Sequence, residues 1–224
     1  MIEIGFYLLT VAIVFAPLMI LNKSDRPAKR KRTYSFIIIG WFIYVFTLSN
    51  SGWLEDFNFP PRVPLLIVVP AILGIIVYTS QKWVKEAIAK TPDHQTIYIQ
   101  SFRILVELLI YGAFLIGIFP KKATFEGLNY DILVGITALI VGVLVQKGIF
   151  KSKAILIWNI LSLAILGLTV YSFISSYYFS DMMSGNYGFV RMPYIFLAAF
   201  LLPMAIFYHV TSIRQQSLKK ETPN

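Results

Sequence analysis

Seven long apolar stretches set the strongest limit on how this chain can fold. Each approaches or reaches the roughly 20 residues that a helix needs to cross the hydrocarbon core of a bilayer. They lie at residues 3–22, 34–53, 63–80, 99–119, 131–147, 154–176 and 193–213. Only 14% of the 224 residues are charged, whereas a soluble chain is about a quarter charged. The sequence therefore predicts an all-α, polytopic transmembrane helical bundle of seven spans, with one membrane domain at 1–213 and a short basic tail at 214–224.

The lysines and arginines are distributed unevenly between alternate loops. The segment 23–33 and the loops and tail on the same side carry fifteen of the 20 basic residues, and the opposite loops carry four. The remaining one, Arg103, lies inside the fourth span. Because cytoplasmic loops are enriched in Lys and Arg, we expect the N-terminus outside, the C-terminus in the cytoplasm and a multi-pass location in a cell membrane.

The basic segment from Lys23 to Arg32 indicates membrane lipids as a partner. A cluster of this kind attracts anionic headgroups by roughly 1 kcal/mol per basic residue. In a soluble protein the net charge of +9 would suggest nucleic acid, but no recognition motif accompanies it here. We therefore expect no nucleic-acid partner.

Three connecting segments have a distinctive composition. Residues 51–62 and 177–192, expected outside, are rich in aromatic residues, glycine and proline. Such segments are typical of an aromatic belt at the membrane interface, and the alternative is a lid over a ligand. Residues 81–97 predict a short amphipathic surface helix that ends before Pro92.

Charged residues inside the fourth span are the main candidates for a functional site. The uncharged part, Leu108 to Phe119, is too short to cross a bilayer, so the span must extend through Glu107 and Arg103 to Gln100. With Tyr111, these residues recur at spacings of three and four and share one helical face. Charges at such depth are costly and mark functional sites by default.

Two polar residues of other spans are expected at the same depth. Asn159 and His209 each lie about 8 Å from the cytoplasmic end of their helix. We hypothesise that Arg103, Glu107, Asn159 and His209 form a polar pocket for a small ligand, open toward the cytoplasm, with Gln100, Tyr111 and Trp158 beside it. The alternative is structural: an intrahelical Arg–Glu pair, an asparagine that joins helices and a histidine bonded to a carbonyl.

The fifth span begins at Asp131, which the helix dipole favours and which is predicted to cap the first turn. Gly135, Ala138 and Gly142 follow on the same face at spacings of three and four. Small residues in this arrangement allow helices to approach closely. The span is therefore expected near the centre of the bundle.

Several chemistries are excluded by composition. The chain has no cysteine and two histidines, so thiolate chemistry and a multi-histidine metal site are excluded. The last span has no lysine to bind retinal, and no nucleophile elbow, phosphate loop or nucleotide fingerprint is present. We expect no cofactor and no metal.

A set of polar and small residues in the second half of the chain carries a family resemblance. It comprises Gln100-x-x-Arg103-x-x-x-Glu107, the run from Thr124 to Ala138 that reads T-F-E-G-x-N-Y-D-I-x-x-G-x-T-A, Trp158-Asn159, Pro203 and His209. Over residues 98–213 the chain resembles a family of small bacterial polytopic membrane proteins. The resemblance implies a multi-span fold in a bacterial inner membrane and no particular substrate.

Three functions stay open from the sequence. The first is a membrane protein that binds or moves a small ligand, ion or proton, with Glu107 and His209 titrating and Arg103 as their charged partner. The second is an intramembrane enzyme acting on a lipid or isoprenoid, which requires a cavity open to the bilayer beside these residues. The third is a structural or accessory subunit, in which the polar residues only join helices.

Overall fold

The computed structural model describes residues 1–180 and 185–221, with side chains described as far as Lys219. Residues 181–184 of the predicted outer loop and residues 222–224 of the predicted tail lie outside this range. Within it the chain is helical, without strands. The α-helices are α1 (Ile2–Phe15), α2 (Pro17–Leu21), α3 (Pro27–Asn50), α4 (Val69–Ser80), α5 (Lys82–Ala89), α6 (Asp93–Tyr98), α7 (Phe102–Leu115), α8 (Asp131–Gln146), α9 (Ser152–Tyr178) and α10 (Leu202–Glu221).

Several of these helices are long and apolar enough to cross a membrane. Five segments qualify in the described part of the chain: Ile2–Leu21, Pro27–Asn50, Asp93–Leu115, Ser152–Tyr178 and Leu197–Lys219. A sixth is possible if α4, with the π-helical turn before it, forms one span together with α5. The predicted fifth span corresponds to α8, which has only 16 residues and is about 24 Å long.

Two breaks interrupt the helices in the first half of the chain. Pro17 begins α2 after a one-residue break at Ala16, within the candidate span Ile2–Leu21. A 76° bend separates α4 from α5, and α5 turns Val84, Ala87 and Ile88 into the protein. This is the amphipathic helix predicted before Pro92, although the residues from Asp93 onward begin the next helix.

Prolines inside α4 and α10 leave backbone carbonyls without a helical N–H donor, and side chains of α3 donate hydrogen bonds to them. Proline has no N–H, so Pro203 frees the carbonyl of Ala199 four residues earlier, and the Trp41 indole donates to it at 2.8 Å. Tyr44 donates in the same way at 2.8 Å to the carbonyl of Leu66, four residues before a proline in α4. The side chains of α3 therefore stabilise the irregular first turns of two neighbouring helices.

The core is centred on α10 and the π-helical turn Leu197–Leu201 before it. Of the candidate spans this one has the largest buried share, and α3 has the smallest. The aromatic side chains of Phe6, Phe119 and Tyr194 pack edge to face beneath the segments that connect the helices. Helix α3 therefore lies at the edge of the bundle and has an apolar outer surface.

The segment 116–130 folds back along α7 before α8 begins. The ring of Phe125 stacks on Tyr111 at a centroid distance of 4.8 Å, and Tyr111 donates to Glu126 at 3.0 Å. Further along, the Asn129 amide reaches Glu107, two turns before the end of α7. Helix α8 therefore starts inside the bundle, about 12 Å along α7 from its C-terminal end.

Candidate functional site

Arg103 is a fully buried cation whose partner is Asp131. The guanidinium Nε donates to Oδ2 of Asp131 at 2.5 Å, and a second, shorter contact joins Nη2 and Oδ1. The side chains are 1% and 5% exposed, so almost no solvent screens the pair. The sequence predicted that Asp131 caps α8, but its carboxylate makes no capping hydrogen bond and faces Arg103 instead.

A chain of hydrogen bonds continues from Arg103 into α9 and α10. Nη1 of Arg103 lies 2.9 Å from Nε2 of His209, and Nδ1 of His209 lies 2.8 Å from Oδ1 of Asn159. Asn159 in turn donates to the hydroxyl of Ser212 at 3.0 Å. Because arginine only donates, Nε2 must accept and Nδ1 must carry the proton. His209 is therefore a neutral imidazole in a fixed tautomer.

Glu107 lies apart from this chain and has a weaker set of partners. Its two carboxyl oxygens accept from the same nitrogen, Nδ2 of Asn129, at 2.8 and 2.7 Å. That nitrogen also donates at 3.0 Å to the carbonyl of Ala123. The amide has two hydrogens, so three acceptors compete for them. Among the ion pairs of the described residues none involves Glu107, although its side chain is fully buried.

Asn129 is the residue that joins Glu107 to the start of α8. Its Oδ1 accepts from the backbone N–H of Asp131 at 3.0 Å and from the hydroxyl of Thr169 at 2.6 Å. Both ends of its amide are therefore used, and all of its partners are fixed elements of the bundle. Asn129 takes the role that had been expected of Asp131, since it satisfies a free N–H of the first turn.

The small residues of α8 allow the close approach that places Asp131 against Arg103. A Cβ on Gly135 would lie 2.7 Å from the Ile104 side chain and 2.8 Å from its backbone nitrogen. A Cβ on Gly142 would lie 2.5 Å from the ring of Tyr98, and Ala138 between them is fully buried. The face predicted from sequence spacing thus packs against α6 and α7.

A cavity of about 80 Å³ adjoins Glu107, Arg103 and Asp131. Apart from these groups and the hydroxyls of Thr169 and Tyr178, its lining is apolar. A single water needs about 10–15 Å³, and pockets for drug-sized ligands measure about 300–1,000 Å³. The space therefore fits a few water molecules or a small ion.

The cavity does not open where the sequence predicted. It extends toward Val63, Tyr178 and Phe189, at the helix ends opposite the basic segments. On the basic side, the hydrogen-bonded side chains fill the space: Gln100 is fully buried and donates to the carbonyl of Ala205 at 3.1 Å. The polar side chains on that side are hydrogen-bonded to one another.

The other predicted neighbours of the cluster divide into two groups. Trp158 contacts it, because its ring lies 5.6 Å from that of His209 and its indole is 3.3 Å from the hydroxyl of Thr137. Tyr111 does not, since it faces the folded-back segment. The described residues contain no group of three or more His, Asp or Glu side chains suited to a metal.

The arrangement limits what His209 can do chemically. Both ring nitrogens are bound to protein groups, and the ring is absent from the lining of the cavity. A general base needs a free nitrogen within reach of the proton it takes. The geometry therefore favours a positioning role for His209 and leaves Glu107 as the lining carboxyl outside the Arg103–Asp131 ion pair.

Comparison with known families gives one match. Residues 60–216 match a family model described as Domain of unknown function (DUF8737). The chain belongs to this family. The DUF8737 region includes every residue of the polar cluster, from Gln100 to Ser212, and also the third predicted span, which the resemblance seen in the sequence did not cover. No curated protein and no solved structure matches the chain.

Three residues of the DUF8737 site were missed by reasoning from sequence: Asn129, Thr169 and Ser212. Two of them are hydroxyl residues within apolar helices, where such residues usually bond to their own backbone. Asn129 offered a signal, because it lies two residues before a predicted helix start, where asparagine often bonds the backbone ahead of it. Because segment 116–130 returns along α7, Asn129 lies beside Glu107 and can donate to its carboxyl group.

Proposed function

We propose that this DUF8737 protein is a multi-pass membrane protein in which Glu107 binds a proton or a small cation through the central cavity. The single observation that carries the proposal is the state of the Glu107 carboxyl: it is fully buried, lines the cavity and has only one amide as partner. Arg103 and Asp131 neutralise each other and His209 is neutral. An ionised Glu107 would therefore be an uncompensated buried charge, which a proton or cation would neutralise.

The start of α8 supports the proposal that the cavity lies at membrane depth. Non-helical backbone at membrane depth is tolerated only where it is buried in protein or lines a cavity, and the segment 116–130 meets that condition. In transporters, helices that begin near the middle of the bilayer point their positive N-terminal ends at anionic groups, while backbone carbonyls and helix C-termini coordinate the cations. Here α8 begins at Asp131, a lining residue of the cavity.

The proposed topology keeps seven crossings. Segment 116–130 and α8 together make the fifth, and α4 makes the third before the chain turns at the 76° bend. With the uneven basic residues, this puts the N-terminus outside and the C-terminus in the cytoplasm. We expect a cell membrane location, which the resemblance narrows to a bacterial inner membrane.

The natural lack of cysteine allows a direct test of the topology. Single variants Ser51→Cys and Lys29→Cys would be probed with a maleimide that does not cross membranes. We expect Ser51→Cys to react in intact cells and Lys29→Cys only after permeabilisation. Labelling of both from the same side would contradict the topology.

Infrared spectroscopy of the protein in lipid nanodiscs tests the role of Glu107. A buried, protonated carboxyl gives a C=O band that shifts on exchange into D₂O. We expect this band in the wild type, its loss as the pH rises or on addition of Na⁺ or K⁺, and its absence from Glu107→Gln. The control Glu86→Gln, which removes an exposed carboxylate, should keep the band. No difference between the wild type and Glu107→Gln at any pH or cation concentration would overturn the proposal.

A further inference from the structure

A second, much larger space lies on the opposite side of α7 from the Glu107 cavity. It is a groove of about 880 Å³ between α1–α2 on one wall and α6–α7 on the other, with Leu139 of α8 and Tyr208 of α10 also lining it. The side chain of Phe102 lines both spaces and so forms the wall between them. The groove is therefore a separate feature of the fold.

The two ends of the groove differ in polarity. One end is formed by Asn22, Lys23 and Gln95, and at this end Lys23 Nζ lies 3.3 Å from Oε1 of Gln95. The other end is lined by aliphatic side chains such as Leu9 and Leu105. Because α1–α2 and α6–α7 run in opposite directions, both walls change from polar to apolar in the same sense. Fourteen residues separate Leu9 from Lys23, which corresponds to about 20 Å of helix.

The charge at the polar end is positive. Lys23 begins the basic segment that continues to Arg32, and an ammonium group has three hydrogens, of which Gln95 takes one. The nearest carboxylates along the chain are both paired: Asp25, two residues after Lys23, lies 3.5 Å from Arg30, and Asp93, two residues before Gln95, lies 2.6 Å from Lys219. An anion at this end would thus meet lysine without a competing free carboxylate.

We propose that the groove binds one anionic phospholipid, with its phosphate at Lys23 and an acyl chain along the apolar walls. The polarity, the length and the charge of the groove match those of such a lipid, and its polar end lies on the side where the basic loops face the headgroups. The proposal rests on the membrane location proposed above and is independent of the chemistry of Glu107. It assigns to α1 and α2, which lie outside the DUF8737 match, a specific lipid contact.

Native mass spectrometry of the detergent-purified protein tests the proposal. Phosphatidylglycerol and phosphatidylcholine of equal chain length would be added in equal amounts. We expect one phosphatidylglycerol to stay bound to each chain. Lys23→Gln should lower the preference for phosphatidylglycerol about fivefold, equivalent to roughly 1 kcal/mol for one basic residue, while Lys29→Gln, on the same basic segment but not in the groove, should keep it.

Bulky substitutions in the groove test the position of the acyl chain. Ala12→Trp fills the groove from α1, and Leu139→Trp fills it from α8. Either should reduce the retained lipid at least fivefold, whereas Val11→Trp, which faces outward on α1, should not. Retention at the wild-type level in both groove variants, or equal loss in Val11→Trp, would overturn the proposal.

Two further outcomes separate this proposal from the proposed function. If the wild-type protein fails to sediment with membranes, the membrane location itself is wrong. If it sediments with membranes but binds both lipids equally, or neither, only the groove proposal fails. Size-exclusion profiles of each variant show whether a loss of lipid reflects misfolding, and the two tryptophan variants on different helices keep the test decisive if one of them does not fold.

Discussion

Replacing Asp131 by asparagine would keep the size of the side chain and remove the charge that faces Arg103. Exposed ion pairs contribute about 0–1 kcal/mol, but removing one partner of a buried pair costs about 3–5 kcal/mol, because the other charge stays buried and uncompensated. The Arg103 and Asp131 side chains are 1% and 5% exposed, which places them in the second class. The lost interaction with the α8 dipole adds up to about 1 kcal/mol. We therefore expect Asp131→Asn to lower the free energy of unfolding by about 3–5 kcal/mol.

Reversible unfolding in mixed detergent and dodecyl sulfate micelles, followed by circular dichroism, measures this loss. The matched control is Glu126→Gln, since Glu126 is 41% exposed and pairs with Lys121 at 3.4 Å; its effect should stay within about 0.5 kcal/mol. The double variant Arg103→Met/Asp131→Leu completes a double-mutant cycle with the single variants Arg103→Met and Asp131→Leu. Its loss of unfolding free energy should be at least about 2 kcal/mol smaller than the sum of the losses of those two single variants. An Asp131→Asn loss below about 1 kcal/mol, or additive single losses, would refute the reasoning.

Three further predictions follow from packing, from the freed carbonyls and from the connecting loops. Gly135→Ala should cost about 1–3 kcal/mol in unfolding experiments, because its Cβ would lie 2.8 Å from a backbone nitrogen of α7, whereas Gly74→Ala, with nothing within 4 Å, should be neutral or stabilise by up to about 1 kcal/mol. Trp41→Phe should cost about 1–3 kcal/mol by leaving the carbonyl of Ala199 unpaired, and this cost should fall when Pro203→Ala supplies an N–H to that carbonyl. A hydrogen bond from the backbone N–H of Asn58 holds the pKa of Asp56 below its ordinary value, and the nearby guanidinium of Arg62 has a smaller effect in the same direction. The stabilisation of the loop by that carboxylate should therefore be complete above the ordinary aspartate pKa and be lost only as the pH falls through the lower value, which an NMR titration of the carboxyl would measure.

Much of the helical architecture could be predicted, because apolar length and helical spacing are local properties of the sequence. The long apolar helices and the small-residue face of α8 follow from residues close together in the chain. The depth argument put Arg103, Glu107, Asn159 and His209 in one layer and left their contact as a hypothesis. In the structure Arg103, His209 and Asn159 lie in one hydrogen-bonded chain, whereas Glu107 contacts Asn129 instead.

The partner of Arg103 could not be found in the same way. The depth argument assumed that each span runs from one boundary to the other, which put Asp131 at the outer surface and Arg103 near the inner one. The return of segment 116–130 along α7 brings Asp131 down to Arg103 and gives Glu107 its contact with Asn129. That return depends on contacts between residues far apart in the chain, such as the stacking of Phe125 on Tyr111. The spacing of apolar residues along the sequence does not reveal such contacts.

In the membrane topology proposed above, the order of the polar partners along the chain has a consequence for insertion during synthesis. Arg103 and Glu107 leave the ribosome before Asn129, Asp131 and every other side chain that binds them. A charged residue at the centre of an isolated helix costs about 2.5–3.5 kcal/mol on insertion, and the candidate span Asp93–Leu115 carries Arg103 and Glu107 near its middle. Helix α7 is therefore poorly suited to partition into lipid alone, and we expect it to insert as a hairpin with α8, after translation has passed residue 131.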